Sequence, residues 1–150
     1  RGEGGWRLRV GGAEAGGLAA RLTEVAANTP GAGAVIVEPA AADYRARLAG
    51  AACSVSLLGY NTATDLLGAG TPAVIRPMEE GAEREQMIRA EAFAALPGFH
   101  LLTRDDPGAL AAAVERALAA PGPPPGLVDL DGAARTARII IEGGAAPKGG

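Results

Sequence analysis

Residues 54–77 read SVSLLGYNTATDLLGAGTPAVIRP, and the fold class follows from how that stretch divides. Ser54-Val55-Ser56-Leu57-Leu58 is a short strand ending in Gly59. Thr62 to Ala69 is then a helix closed by Gly70, with Pro72 soon after as a stop signal. Ala73-Val74-Ile75 is a continuous apolar run, a buried strand terminated by Pro77. A strand, a helix and a second strand this close together predict a parallel pair joined by a crossover helix.

The same alternation extends both ways. Upstream, Trp6-Arg7-Leu8-Arg9-Val10 alternates apolar and polar residues and runs into Gly11-Gly12. Leu18, Leu22 and Val25 recur at helical spacing, which predicts a helix from about Leu18 to Ala27. Thr29-Pro30 with Gly31 and Gly33 breaks the chain before the buried run Ala34-Val35-Ile36-Val37. A brief helix is predicted from Asp43 to Ala49. Downstream, a helix is expected from about Glu83 to Ala94, followed by a short strand, His100-Leu101-Leu102. Asp106-Pro107 marks a helix start, with the carboxylate as N-cap and proline at the first helical position, and that helix runs to Pro121. Pro121-Gly122-Pro123-Pro124-Pro125-Gly126 reads as a stiff linker, Asp129 to Ile141 as one more helix, and 143–150 as a frayed tail.

Strand and helix thus alternate five times. The expected fold is α/β, a Rossmann-like doubly wound parallel sheet with helices on both faces. Right-handed crossovers put all strand-to-helix loops on one edge, where ligands of such sheets bind. That nominates the loops at 11–17, 38–43, 59–62, 77–83 and 103–106.

Composition narrows the function. Alanine and glycine fill 58 of the 150 positions and aromatics only 3%, so small residues must supply close packing of helices against the sheet. The net charge is −3 with no basic face, which argues against nucleic acid as the main partner. No apolar run approaches the roughly 18 residues needed to span a bilayer, and Arg1 does not begin a signal-peptide layout. The lone Cys53 fits a reducing cytoplasm and normally just packs. One histidine and one cysteine exclude the usual zinc ligand sets, so no metal is expected, and a Ser-His-Asp triad would have to use His100.

Two stretches could carry chemistry. In Gly59-Tyr60-Asn61-Thr62-Ala63-Thr64-Asp65 a helix opens just after a strand, and its free N–H groups favour a phosphate. Thr62 with Asp65 three residues on is also a capping-box pattern that needs no ligand. In Pro77-Met78-Glu79-Glu80-Gly81-Ala82-Glu83-Arg84-Glu85-Gln86, carboxylates and an amide could accept bonds from sugar hydroxyls, or simply favour a helix N-terminus and stay solvated. Arg76 on the same edge could screen phosphate charge or pair with Glu79. Gly11-Gly12 with Gly16-Gly17 lacks a Walker spacing and reads as a flexible connector.

Taken together, Gly59-Tyr60-Asn61-Thr62, Asp65-Leu66-Leu67 and Glu83-Arg84-Glu85-Gln86 resemble the C-terminal, donor-binding half of a GT-B glycosyltransferase. The nearest likeness is to a bacterial group related to the peptidoglycan N-acetylglucosaminyltransferase, and it runs from Trp6–Gly12 through Val35-Ile36-Val37-Glu38 to Val114. The resemblance implies a nucleotide-sugar ligand and no separate cofactor. By it, Gly59, Tyr60, Asn61 and Thr62 meet the diphosphate, Asp65 the ribose hydroxyls, Glu85 and Gln86 (with Gly81 in the same loop) the donor sugar, and the loop at Glu38 the base. It implies a nucleotide-sugar-binding domain over 1–120, a linker over 121–126 and a terminal helix and tail over 127–150. The protein would be cytoplasmic, with room for a peripheral membrane location.

That family's half opens with a strand and a Gly/Ser-rich phosphate loop, and its acceptor half usually holds the catalytic base. Neither precedes Arg1, so an excised or separately encoded half is expected, with its partner half or subunit elsewhere and no catalytic residue assigned. The alternatives are a non-catalytic module that keeps the half-fold and docks another chain, and a relative of nucleotide-sugar epimerases.

Overall fold

The computed structural model describes residues 5–78 and 85–144. They form β1 (Trp6–Val10), α1 (Ala15–Asn28), a single 3₁₀ turn (Ala32–Ala34), β2 (Val35–Pro39), α2 (Tyr44–Ala49), β3 (Ser54–Leu57), α3 (Tyr60–Ala69), β4 (Ala73–Arg76), α4 (Glu85–Ala94), β5 (Phe99–Leu101), α5 (Pro107–Ala119) and α6 (Gly132–Gly144). Every expected strand and helix is present, and all three strand pairings are parallel. The protein is therefore α/β. Its strands fall into two small sheets, β1-β2 and β3-β4-β5, where the alternation predicted one. The chain correspondingly divides into two compact units, 1–44 and 45–150.

In the first unit β1 and β2 pair in register from Trp6 opposite Val35 to Val10 opposite Pro39. Val10 is its one buried apolar side chain among the described residues; Trp6 and Leu8 are exposed, and α1 buries none of its residues. What ties the carboxyl end of this pair is charge. Arg9 is 14% exposed in its side chain and lies between Glu38 and Asp43, with Nη2 donating to Asp43 Oδ1 at 2.7 Å. Its Nε stands 3.3 Å from Glu38 Oε1 but off the hydrogen-bond line, and Nη1 is buried with no acceptor among the described residues. The carbon of the same guanidinium lies over the Tyr44 ring, 5.9 Å from its centre.

The second unit is built around β4, whose Ala73, Val74 and Ile75 are all fully buried. A strand covered on both faces reads as a continuous apolar run, and the sequence has one here. On one face Val74 joins Leu102, Ala113 and Ala117, with Cys53, Ala109, Leu110 and Val114 packed against them. Alanines on α5 let that helix lie close to the sheet. At the far edge Phe93 and Phe99 meet edge to face at 5.1 Å. α5 begins as its sequence predicts: Asp106 accepts from the Ala109 N–H at 2.8 Å, with Pro107 at the first position.

Two local expectations fail. Of the run 34–37, read as a buried strand, no residue is buried and Ile36 is 48% exposed. The 121–126 segment is not a free spacer: Pro123 is buried, and a Cβ at Gly122 would fall 1.9 Å from the Gly70 carbonyl oxygen. Gly98, at φ +83°, also faces this run, where an added Cβ would lie 2.8 Å from Pro123 Cδ. Glycine is required at both positions because backbone meets backbone or ring there. The run therefore packs against the loops entering β4 and β5, and the rigidity of its prolines serves packing rather than spacing. Beyond it, every described side chain from 127 to 142 is exposed, including Ile139, Ile140 and Ile141. Among the described residues no helix is long and apolar enough to cross a membrane.

Candidate functional site

The carboxyl ends of β3, β4 and β5 all lie on one edge of the three-stranded sheet, because parallel strands share direction. After β3 the chain makes a tight turn, Gly59 N–H donating to Leu57 O at 3.0 Å, and α3 opens at Tyr60. That is two residues earlier than the sequence suggests, and the difference corrects the capping-box reading. Gly59, extended at φ −69° and ψ 164°, is the N-cap, and no side chain among the described residues caps the helix. Thr62 sits at the third helical position and Asp65 at the sixth, too far in for a reciprocal cap. An uncapped start leaves the first-turn N–H groups pointing outward with the positive end of the helix dipole behind them.

Asp65 has a different partner. Its Oδ1 accepts from Arg45 Nε at 2.5 Å; the Asp65 side chain is 16% exposed and that of Arg45 77%. The two are 20 positions apart, a pairing that no local pattern announces. Asn61 O takes the Thr64 hydroxyl at 2.8 Å.

At the end of β4, Arg76 forks onto Asp105, with Nε and Nη2 each 2.7 Å from one carboxylate oxygen, and its Nη1 donates to Pro77 O. Arg76 thus has Asp105 as a partner; the Glu79 considered for it lies outside the described residues. The guanidinium holds the exposed Asp105 carboxyl below its ordinary range. On α4, Gln86 Oε1 accepts from Met78 N–H at 2.8 Å, which folds the start of that helix back onto the exit of β4. Glu85 pairs with Arg89 one turn on. Arg89 then reaches α3, with Nη1 3.4 Å from Leu58 O and its guanidinium 6.0 Å from the centre of the Tyr60 ring.

Of the residues singled out by sequence, Gly59, Tyr60, Asn61 and Thr62 therefore open α3, and Glu85 and Gln86 open α4 at the same sheet edge. Arg89 joins the two stretches. Asp65 lies further along α3 with Arg45. Glu38 belongs to the first unit, paired with Arg7 and Arg9. Gly81 lies outside the described residues, as do Glu80, Glu83 and Arg84. Arg89 was legible only as an i,i+4 partner of Glu85, which gives no hint of its reach to Leu58 and Tyr60.

His100 is in the middle of β5, not at its start. Burial and then the Arg116 charge push its imidazolium pKa down, and its Nε2 is buried with no partner among the described residues. Burial pushes the Cys53 thiol up, partly offset by a backbone hydrogen bond involving Val74, which suits a packed thiol rather than a nucleophile. Comparison with protein-family models, curated proteins and solved structures returned no match for this chain.

Proposed function

We propose that this chain is the nucleotide-sugar donor-binding half of a hexosyl-transferring glycosyltransferase, its α/β architecture a Rossmann-like, doubly wound half of GT-B type. The observation that carries the reading is the convergence at one sheet edge of an uncapped helix start (Gly59–Thr62), two arginines (Arg76 and Arg89) and the polar start of α4 (Glu85, Gln86). Helix N–H groups and guanidinium charge suit a diphosphate, and the Gln86 amide suits sugar hydroxyls. Such donors, aimed where charge grows on the departing diphosphate, would stabilise the bond-breaking step. The acceptor hydroxyl, its base and the rest of the catalytic apparatus would come from a second half or a partner subunit, in the cytoplasm or at a membrane surface.

Titration of the folded chain with uridine and guanosine diphosphates tests this. Binding below millimolar is expected for one of them, and none at millimolar ligand overturns the reading. Asp65→Ala sharpens it. If Asp65 receives the ribose, binding weakens by about 1.5–3 kcal/mol, the range for hydrogen bonds to charged groups. If it only holds the exposed Arg45, affinity stays within twofold and stability falls by about 0–1 kcal/mol.

A second reading, a non-catalytic docking module, draws on the exposed aliphatic residues Leu127, Val128, Leu130 and Ile139–Ile141. Light scattering separates the two, since a monomer that binds nucleotide and captures no partner excludes it.

A further inference from the structure

The resemblance places Glu85 directly on a donor sugar. The structure gives its carboxylate another occupation. Glu85 Oε1 is held by Arg89 Nη2 on the same face of α4, and Glu85 is 79% exposed whereas Arg89 is only 20% exposed. The guanidinium is thus the anchored member of the pair. Its remaining contacts lie on the neighbouring crossover, where Nη1 donates to Leu58 O at 3.4 Å and the guanidinium carbon lies over the Tyr60 ring, 6.0 Å from its centre. Leu58 is fully buried and immediately precedes the Gly59 turn, so a donor on its carbonyl acts at the point where the chain leaves β3 for α3.

We propose that Glu85 is a positioning residue that acts through Arg89, and that Arg89 ties α4 to the opening turn of α3. An exposed i,i+4 ion pair by itself contributes little to stability. Here the pair has a directional consequence. Arg89 carries five donors in a rigid fork, and fixing Nη2 on Glu85 fixes where Nη1 points. Without Glu85 the long side chain regains its rotamers, and both the Leu58 bond and the Tyr60 contact loosen together. The first-turn N–H groups of α3 then lose a brace on the residue before their N-cap. The functional side of this inference rests on the nucleotide-sugar reading above; the tie itself does not.

A double-mutant cycle on the full chain tests it, with Glu85→Gln, Arg89→Met and the double variant, and with Arg89→Lys in place of Arg89→Met should the latter fail to fold. The first readout needs no ligand: the ring resonances of Tyr60, assigned with Tyr60→Phe. Glu85→Gln is expected to shift them when Arg89 is present and to leave them unmoved in the Arg89→Met background. Unmoved Tyr60 resonances in the Arg89 protein, or an equal shift in both backgrounds, overturn the tie. The second readout is affinity for uridine and guanosine diphosphates. Each single substitution is expected to weaken binding about threefold to tenfold, and Glu85→Gln to add less than about 1.5-fold once Arg89 is gone, as for residues acting as one unit. Equal losses in both backgrounds mean that Glu85 meets the ligand itself, which overturns the positioning role. If neither nucleotide binds the parent chain, the nucleotide-sugar reading fails and the Tyr60 resonances alone decide the tie.

Discussion

The two units are made of the same kind of segment and are held together differently. β1 and β4 each open a strand-to-helix passage, and each sits in a parallel sheet. In the second unit β4 is buried on both faces, and the small side chains of α5 close over Val74. In the first unit one apolar side chain is buried among the described residues, and the carboxyl end of the sheet is tied by Arg9 between two carboxylates. Burying a large aliphatic side chain contributes about 1.5–3 kcal/mol, whereas an ion pair with an exposed member contributes about 0–1 kcal/mol. The candidate site is in the unit with the core. Helix starts and guanidinium groups can be held to within a hydrogen-bond length only on a scaffold that does not itself shift.

That contrast can be broken by substitution. The largest effect is expected from Ile75→Ala, which empties a fully buried site and should cost about 2–5 kcal/mol, whereas Val25→Ala on the exposed face of α1 should stay within about 0.5 kcal/mol. Chemical denaturation of the two variants reads the difference, and comparable losses would mean that the first unit has a core of its own. Next is Gly122→Ala. Its Cβ would land on the Gly70 carbonyl, and overpacking of that kind costs about 1–3 kcal/mol or more. A neutral outcome by the same measurement would return the 121–126 segment to the role of a spacer. Asp106→Ala, which removes the cap of α5, should cost about 0.5–2 kcal/mol and raise amide exchange in the first turn of that helix.

The smallest effect is a pH dependence. His100 binds its proton less tightly folded than unfolded, so its contribution is fully present above its unfolded pKa of about 6.5 and is lost as pH falls through the lower folded value. Melting temperature should decline from about pH 7.5 to about pH 5, and His100→Gln should flatten that decline. An unchanged slope would place the proton-linked loss elsewhere in the molecule.

Local order was legible wherever the physics is local. The five strands and six α-helices of the described residues follow from apolar runs, from the Asp106-Pro107 start, and from Gly70 closing α3 in the left-handed region at φ +68°. Gly59 was legible as a break but not as the N-cap. Thr62 and Asp65 present a capping pattern one turn too late, and a helix starts where its backbone can, not where a pattern best fits. The composition of 121–126 declares stiffness and says nothing of what the segment lies against.

The sequence by itself determined the order of elements, the parallel pairing and the edge on which to look for function, because strand direction and crossover handedness follow from chain chirality and local pattern. Beyond the buried run Ala73–Ile75, only the tertiary structure decided which apolar residues are covered. Val55 and Leu57 on β3 look as inward as Val74 and Ile75 on β4, yet they are exposed while Ser54 and Ser56 share a hydrogen bond at 2.6 Å. It also decided the partners of the charged groups: Arg45 for Asp65, Asp105 for Arg76, and Leu58 with Tyr60 for Arg89. These pairings join residues 20 to 31 positions apart. A flexible guanidinium takes whichever acceptor the packed backbone brings within reach, and that choice does not exist until the sheet and its helices have assembled.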